Sequence, residues 1–174
     1  MERKYQLDTE GNRLFLAEIR QNLLDFGRRF PSPGGGSYYL GDDGTPWPDR
    51  GRETWITSRM AHVYSIGTLL GDAQAAPLAD AALKGLRGEL HDGTHGGWYA
   101  GLNADGSVMP TKQCYSHAFV MLAASSALLA GRPGARELLD DALAVYDLRF
   151  WDEEKGLSRD TWDTDFTALD HYRG

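Results

Sequence analysis

The sequence predicts an all-α protein, built from helical hairpins with short β-hairpin loops and forming about half of an (α/α)6 toroid. Thr57 to Leu70 and Gln113 to Ala130 are apolar almost all round, which is typical of helices buried on every side. Ala75 to Leu90 and Arg136 to Phe150 are amphipathic instead, with apolar faces that include Leu83 and Leu86 in the first and Leu138 in the second. Alternation of these two kinds predicts concentric layers, because a single hairpin cannot bury its own apolar face and needs neighbours to do so.

An amphipathic helix is predicted to open the chain, from Leu14 to Phe30. Its apolar face follows the helical spacing of three or four residues. The residues on that face are Leu16, Ile19, Leu23, Phe26 and Phe30. Asp8 or Thr9 can cap its start, and the proline- and glycine-rich segment 31–36 ends it.

The first buried helix carries two polar side chains that need an explanation. Thr57 and Ser58 are candidate caps at its start, and Arg59 and His62 follow one turn apart on one face. Because an unpaired buried charge is costly, a cation at the mouth of a buried helix needs a partner. That partner is either a structural acid, such as Asp42 or Asp163, or a substrate. The sequence leaves both interpretations open.

Short strands and glycine-rich turns are predicted between the helices. Ser37 to Leu40, Gly97 to Leu102 and Gly156 to Asp160 are the strand candidates, with turns at 41–44 and 103–106. Many of the aromatic residues lie in these connections. Such rings either cover the apolar faces of sugars or simply cap the ends of helices.

The chain contains an internal repeat, in which the two buried helices begin near Ser58 and Cys114, 56 positions apart. This register makes Arg59 and Tyr115 equivalent and directs both to one mouth, where helix N-termini supply positive potential. The chain holds an opening outer helix, two hairpins and a third connection. A closed toroid needs about six hairpins, so we expect residues 1–174 to be the amino-terminal portion of one toroid domain. The missing carboxy-terminal half, or self-association, is expected to cover the open apolar edge.

Composition narrows the class of partner. The formal net charge of −7 argues against nucleic acid and anionic membranes. The single cysteine, Cys114, can form no internal disulfide and is interpreted as a packing residue. The first residues lack the apolar segment of a secretory signal, and no apolar run approaches the ~20 residues that span a bilayer. The default location is therefore cytoplasmic.

Other candidate residues have simpler interpretations. His91 and His95 are four apart, but they lie in a glycine-rich loop without a cysteine partner, so no metal site is predicted. His117 points away from Tyr115 and is interpreted as structural. The acids at 42–43 and 163–165 either form an acid/base pair for glycoside cleavage or serve as turn caps. There is no nucleotide-binding motif.

Three segments resemble the N-acylglucosamine 2-epimerase family. Trp55 to Gly71 is similar to that family's first inner-helix signature, and its Arg-Met-x-His-x-Tyr-Ser pattern is most similar to the isomerases of mannose or sulfoquinovose. Lys112 to Phe119 resembles the start of the second inner helix, and Leu169 to Gly174 the lead-in to the third. The resemblance covers essentially the whole chain.

The resemblance implies an (α/α)6 barrel that isomerises or epimerises a monosaccharide without metal, nucleotide or other cofactor. In the family, two histidines move a proton at C2 through an enediolate, and histidine suits this chemistry because its pKa lies near neutrality. Arg59 matches the substrate-binding arginine, Tyr115 a substrate-contacting tyrosine, and His62 is a further candidate. The proton-transfer histidines are expected beyond Gly174. Two alternatives remain: a toroid hydrolase or lyase, and a non-catalytic helical-repeat module that binds sugars.

Overall fold

The computed structural model describes residues 6–169. Within them, five α-helices are connected by short loops. They are α1 (Glu10–Gly27), α2 (Thr54–Leu69), α3 (Ala75–Leu86), α4 (Cys114–Leu129) and α5 (Ala135–Val145). A 3-10 turn, Pro48–Arg50, precedes α2, and a π-helical turn, Tyr146–Phe150, continues α5. Residues 170–174, which complete the predicted lead-in to a third inner helix, lie outside the described residues.

Short antiparallel strands tie the loops together. They are β1 (Tyr39–Leu40), β2 (Pro46–Trp47), β3 (Arg52–Glu53), β4 (Gly101–Leu102), β5 (Val108–Met109), β6 (Thr111–Gln113), β7 (Trp151–Asp152), β8 (Leu157–Ser158) and β9 (Thr161–Asp163). β1 pairs with β2, β4 lies between β3 and β5, β6 pairs with β9, and β7 with β8. The β3–β4 and β6–β9 pairs join loops that belong to different hairpins, so the N-terminal ends of α2 and α4 are held at one end of the molecule.

The helices form the two predicted layers. α2 packs against α3 and α4, and α4 packs against α5. Small side chains dominate the buried contact, which allows the helices to approach closely. The buried small residues include Ala61, Ala79, Ala82, Ala123, Ala124 and Ala127. The amphipathic faces predicted for α3 and α5 are buried, including Leu83, Leu86 and Leu138. The prediction of an α/α toroid segment is confirmed.

The predicted start of α2 was wrong by one turn. Glu53 is the N-cap residue, and Thr57 and Ser58 lie fully buried inside the first turns of the helix. The Thr57 hydroxyl accepts a hydrogen bond from the backbone N–H of Ser37 at 3.0 Å, so it fastens a loop and does not cap the helix. At α1, by contrast, Thr9 is the cap, as predicted, and accepts from the N–H of Asn12.

The repeat therefore has a period of 60 residues instead of 56. Both inner helices have 16 residues and begin at Thr54 and Cys114, while α3 and α5 begin at Ala75 and Ala135. In this register Trp55 is the equivalent of Tyr115, and Arg59 is the equivalent of residue 119. The pairing of Arg59 with Tyr115 by repeat symmetry was wrong, because it rested on the misplaced cap.

Burial of α2 and α4 on every side was also wrong for the chain described. Each inner helix has one exposed face, which on α2 includes Val63 and Ile66 and on α4 includes Leu122. The predicted apolar stripe of α1 is exposed as well, at Leu16, Ile19, Leu23 and Phe26. Between α1 and α2 this surface forms an open apolar groove with a volume of about 320 Å³. We name it the open face; it is lined mainly by Leu16, Ile19, Leu23, Val63, Ile66 and Leu70, together with Arg20 and His62.

Candidate functional site

Arg59 and Tyr115 meet at the N-terminal ends of α2 and α4. The Arg59 guanidinium donates a hydrogen bond to the Tyr115 hydroxyl at 3.3 Å. It also lies over two rings, 4.6 Å from the centroid of Trp55 and 4.8 Å from that of Phe119. Such cation–π contacts hold a cation without a carboxylate partner. We call Trp55, Arg59, Tyr115 and Phe119 the arginine–aromatic cluster.

The rings of this cluster also contact one another. Tyr115 and Phe119 are 4.9 Å apart in an edge-to-face arrangement, and Trp55 lies 6.0 Å from Tyr115. Tyr115 remains 50% exposed, and Arg59 is exposed as well. The cluster therefore presents a preoriented cation, a phenol and ring surface to solvent at the positive ends of two helices.

The structural interpretation of Arg59 is not supported by its contacts. No acid pairs with Arg59 among residues 6–169. Of the two acids considered as partners, Asp163 accepts instead from the N–H groups of Asp165 and Thr167; Asp43, the neighbour of Asp42, accepts from the backbone N–H and the hydroxyl of Thr45. These acids act as turn caps, which was one of the two interpretations left open for them.

His62 lies part-buried between the inner helices, and its Nδ1 is 2.7 Å from the Ser126 hydroxyl. Ser126 donates its only hydroxyl proton to the Leu122 carbonyl, so it must accept from His62. The neutral His62 ring then carries its proton on Nδ1 and keeps a lone pair on Nε2. Burial lowers the pKa of His62, which favours this neutral form at pH 7.

His117 has the structural role that was predicted. It is fully buried, donates from Nδ1 to the Gln113 carbonyl at 2.8 Å, and accepts at Nε2 from the N–H of Trp98 at 3.1 Å. Burial lowers its pKa to about 4. Both nitrogens are satisfied in the neutral ring, so His117 joins α4 to the preceding loop.

The two loop histidines have different acidic partners. His91 pairs with Asp141 of α5, and His95 with Asp92 of its own loop, each at 3.1 Å. Within residues 6–169 no group of three or more histidine, cysteine or acidic side chains has the arrangement of a metal site.

A buried lysine joins the loops next to the N-terminus of α4. Lys112 is fully buried and donates from Nζ to Asp92 Oδ2 and to the carbonyls of Gly96 and Thr164, each at 2.7 Å. Although burial opposes it, hydrogen bonding from Lys112 and from the N–H groups of His95 and Thr94 holds the pKa of Asp92 well below its usual range. This ion pair connects three loops beside the N-terminus of α4.

Sequence reasoning missed half of the arginine–aromatic cluster. The motif segments include Trp55 and Phe119, but the sequence did not predict that their rings contact Arg59. The 60-residue register, which follows from the helix starts in the structure, makes Trp55 equivalent to Tyr115 and Arg59 equivalent to Phe119. The structural role of Lys112 could not be predicted, because its three hydrogen-bond acceptors are distant in sequence.

None of the helices within the described residues has the length and apolar character that a membrane span requires.

Comparison of the sequence with protein families and characterised proteins identifies relatives of this chain. Residues 35–174 match the family model of N-acylglucosamine 2-epimerase (GlcNAc 2-epimerase). A D-mannose isomerase of Thermobifida fusca is 45% identical over 164 residues, which is 94% of this chain and 40% of that protein. A D-mannose isomerase of Pseudomonas cannabina pv. alisalensis is 43% identical over 70% of this chain and 29% of its own length.

Comparison with solved structures gives the same fold. The crystal structure of a D-mannose isomerase superimposes with a TM-score of 0.83 at 25% identity and covers 93% of this chain. This chain spans 43% of that structure, and about 40% of the Thermobifida relative. A cellobiose 2-epimerase from Spirochaeta thermophila DSM 6192 superimposes with a TM-score of 0.77 at 24% identity, covering 92% of this chain and 43% of its own.

Proposed function

Because this chain belongs to the N-acylglucosamine 2-epimerase family, we propose that it forms the sugar-binding part of a sugar isomerase or epimerase. The substrate is a free aldose such as mannose, as the two D-mannose isomerase relatives suggest. The reaction is aldose–ketose isomerisation by proton transfer at C2 through an enediolate. The observation that carries the proposal is the exposed Arg59–Tyr115 pair, held by two rings at the ends of two inner helices.

Arg59 and Tyr115 of the cluster, together with His62 outside it, have tasks in this proposal. Arg59 binds sugar oxygens and stabilises negative charge that develops on them, because a fixed cation in a preorganised site needs no reorganisation during the reaction. Tyr115 accepts from Arg59 and uses its own O–H toward a sugar oxygen. His62 offers Nε2 as a hydrogen-bond acceptor for a sugar hydroxyl, since its Nδ1 proton is held by Ser126.

The proton-transfer groups are proposed to come from helical hairpins that this chain does not contain. No histidine of the described residues joins the arginine–aromatic cluster directly, and His117 is fully occupied inside the protein. This chain alone is therefore expected to bind mannose but not to isomerise it. Fructose appearing when the purified 174-residue chain is incubated with mannose would contradict this division of labour.

The open face supports the same proposal. It is apolar, it lies along an inner helix, and this chain spans only about 40% of its relatives' length. We propose that a later hairpin of the same toroid covers it. The carboxy-terminal part of a relative, the part that this chain does not span, can be expressed as a separate chain and mixed with this one. We expect the two chains to form a 1:1 complex in analytical ultracentrifugation. Ile66→Glu, which places a charge on the open face, should prevent that complex. Persistent homodimers in place of that complex would favour self-association and contradict the proposed occupant.

Sugar binding is tested by NMR titration of the 15N-labelled chain with D-mannose. We expect shifts at Trp55 and Tyr115 that need more mannose to saturate in Arg59→Ala and in Tyr115→Phe, while Arg136→Ala on the exposed surface of α5 leaves the titration unchanged. A wild-type spectrum unaffected by mannose would contradict the proposal. Cleavage of a glycosidic bond by the completed toroid would support a hydrolase instead. Sugar binding without any turnover would support a non-catalytic module.

We also propose a cytoplasmic location. The single cysteine supports it, because this chain can form no internal disulfide.

A further inference from the structure

We propose that Glu53 is a positioning residue of the sugar-binding site. Its carboxylate holds the Trp55 ring, and that ring holds the Arg59 guanidinium in the orientation that meets the substrate. The consequence for sugar binding rests on the proposed function, but the effect on Arg59 does not.

Glu53 occupies the N-cap position of α2 but does not cap the helix. Its backbone is extended, with φ −97° and ψ 144°, and its side chain makes no hydrogen bond to the N–H groups of the first turn. An aspartate at the N-cap ordinarily accepts from one of those groups, whereas the longer glutamate is not a preferred cap. Here Oε2 accepts instead from the indole N–H of Trp55. The carboxylate is thus used to orient a ring and not to begin the helix.

A second ring lies against the same carboxylate. The Tyr39 hydroxyl interacts with Glu53, and burial together with this negative charge raises the pKa of Tyr39 to about 12. The hydroxyl therefore stays protonated and can donate. The Tyr39 and Trp55 rings meet edge to face, with centroids 6.5 Å apart. Glu53 consequently fixes the Trp55 ring from one side while Tyr39 restricts it from another.

The orientation of Trp55 then decides the position of Arg59. The guanidinium lies 4.6 Å from the Trp55 centroid and 4.8 Å from that of Phe119. With no acid pairing to Arg59 among the described residues, the rings and the Tyr115 hydroxyl are what restrict this flexible side chain. The backbone of Glu53 is itself fixed, because β3 pairs with β4 at Gly101.

The equivalent position in the second repeat shows that this contact is not a general feature of the fold. Gln113 is the N-cap residue of α4, 60 residues after Glu53, and it also makes no side-chain cap. Its side-chain oxygen lies 3.4 Å from the Ser116 hydroxyl, a partner outside the arginine–aromatic cluster. Gln113→Ala is therefore a matched control for Glu53→Ala.

The first experiment measures the position of Arg59 without any sugar. In the 15N-labelled chain, a guanidinium over an aromatic ring has its Nε–H signal displaced upfield by the ring. We expect Glu53→Ala to return the Arg59 signal toward its free position and to shift the Trp55 indole signal. Glu53→Gln keeps an acceptor oxygen and should retain both signals, as should Gln113→Ala. An Arg59 signal unchanged in Glu53→Ala would overturn the proposal.

The second experiment measures mannose affinity in a double-mutant cycle. Glu53→Ala should weaken binding about fivefold, the effect of losing a contact of cation–π strength. In an Arg59→Ala background the same change should have no further effect, because Glu53 acts through Arg59. Equal losses in both backgrounds would show a merely structural role and overturn the inference. A wild-type chain that does not bind mannose would overturn the proposed function, while the NMR comparison still decides the positioning role.

Discussion

The Arg59 guanidinium and the Tyr115 hydroxyl are joined by a hydrogen bond of 3.3 Å, although the two residues are not equivalent in the repeat. Arg59 is the sixth residue of α2 and Tyr115 the second residue of α4. This offset is about one helical turn, and helical side chains lean toward the N-terminus. The long arginine side chain therefore reaches back by one turn and meets a shorter side chain at the mouth of the neighbouring helix.

Replacement of Arg59 by lysine should weaken mannose binding although the charge is retained. An ammonium group lacks the planar fork that lies over Trp55 and Phe119 while donating to Tyr115. We expect a dissociation constant about fivefold higher, measured by calorimetry. Arg136→Lys on the exposed surface of α5 is the matched control. Equal affinities of Arg59→Lys and the wild-type chain would show that charge alone is sufficient.

Replacement of Lys112 by methionine should destabilise the chain strongly. The change leaves the Asp92 carboxylate buried without its cation, and breaking a buried pair in this way costs about 3–5 kcal/mol. Lys155→Met removes an exposed lysine 3.9 Å from Asp152 and should change the free energy of unfolding by less than about 0.5 kcal/mol. Urea denaturation at pH 7 compares the two variants. Similar midpoints for both would contradict the structural role of Lys112.

The free energy of unfolding should decrease as the pH is lowered from about 6.5 to about 4. His117 is neutral in the fold, with a pKa lowered to about 4, whereas its unfolded pKa is near 6.5. Below pH 6.5 the unfolded state therefore binds the proton first, and stability is lost until both states are protonated. His62, whose pKa is also lowered by burial, acts in the same direction. Asp92, with its lowered pKa, adds a further loss only at more acidic pH.

Urea titrations at pH 7 and pH 4.5 measure this effect. Lys112 and His91 are the charged or titratable groups that further disfavour protonation of His117. His117→Gln should be less stable at pH 7, because both hydrogen bonds are disturbed, yet should lose less stability on acidification than the wild-type chain. A slope in that pH range unaffected by the substitution would assign the proton uptake to another group.

Gly85→Ala should destabilise the chain despite the higher helix propensity of alanine. A Cβ at this position of α3 would lie 2.4 Å from the backbone nitrogen of Gly36, which rigid backbone cannot accommodate. Gly11→Ala in α1 meets nothing within 4 Å and should be neutral or stabilising by up to about 1 kcal/mol. Opposite signs of the change in melting temperature are expected. A higher melting temperature for Gly85→Ala would contradict the close contact between α3 and the 35–36 loop.

The arrangement of helices could be predicted from the sequence because it depends on local patterns. The core face of α3 was identified from its spacing, and the Thr9 cap from the residue preferences of helix starts. The same kind of evidence misplaced the start of α2, since Thr57 and Ser58 look like caps. Thr57 instead meets the backbone of Ser37, a contact between residues 20 positions apart that no local pattern contains.

For this protein the sequence alone determined the helix types, their alternation and two motifs, one with Arg59 and His62 and the other with Tyr115. Only the tertiary structure decided the 60-residue register, the contact between Arg59 and the rings of Trp55 and Phe119, and the use of Glu53 as an acceptor for an indole. The physical reason is range. Helix formation and amphipathicity follow from residues within a few turns, whereas the orientation of a cation depends on side chains that meet only after the helices have packed.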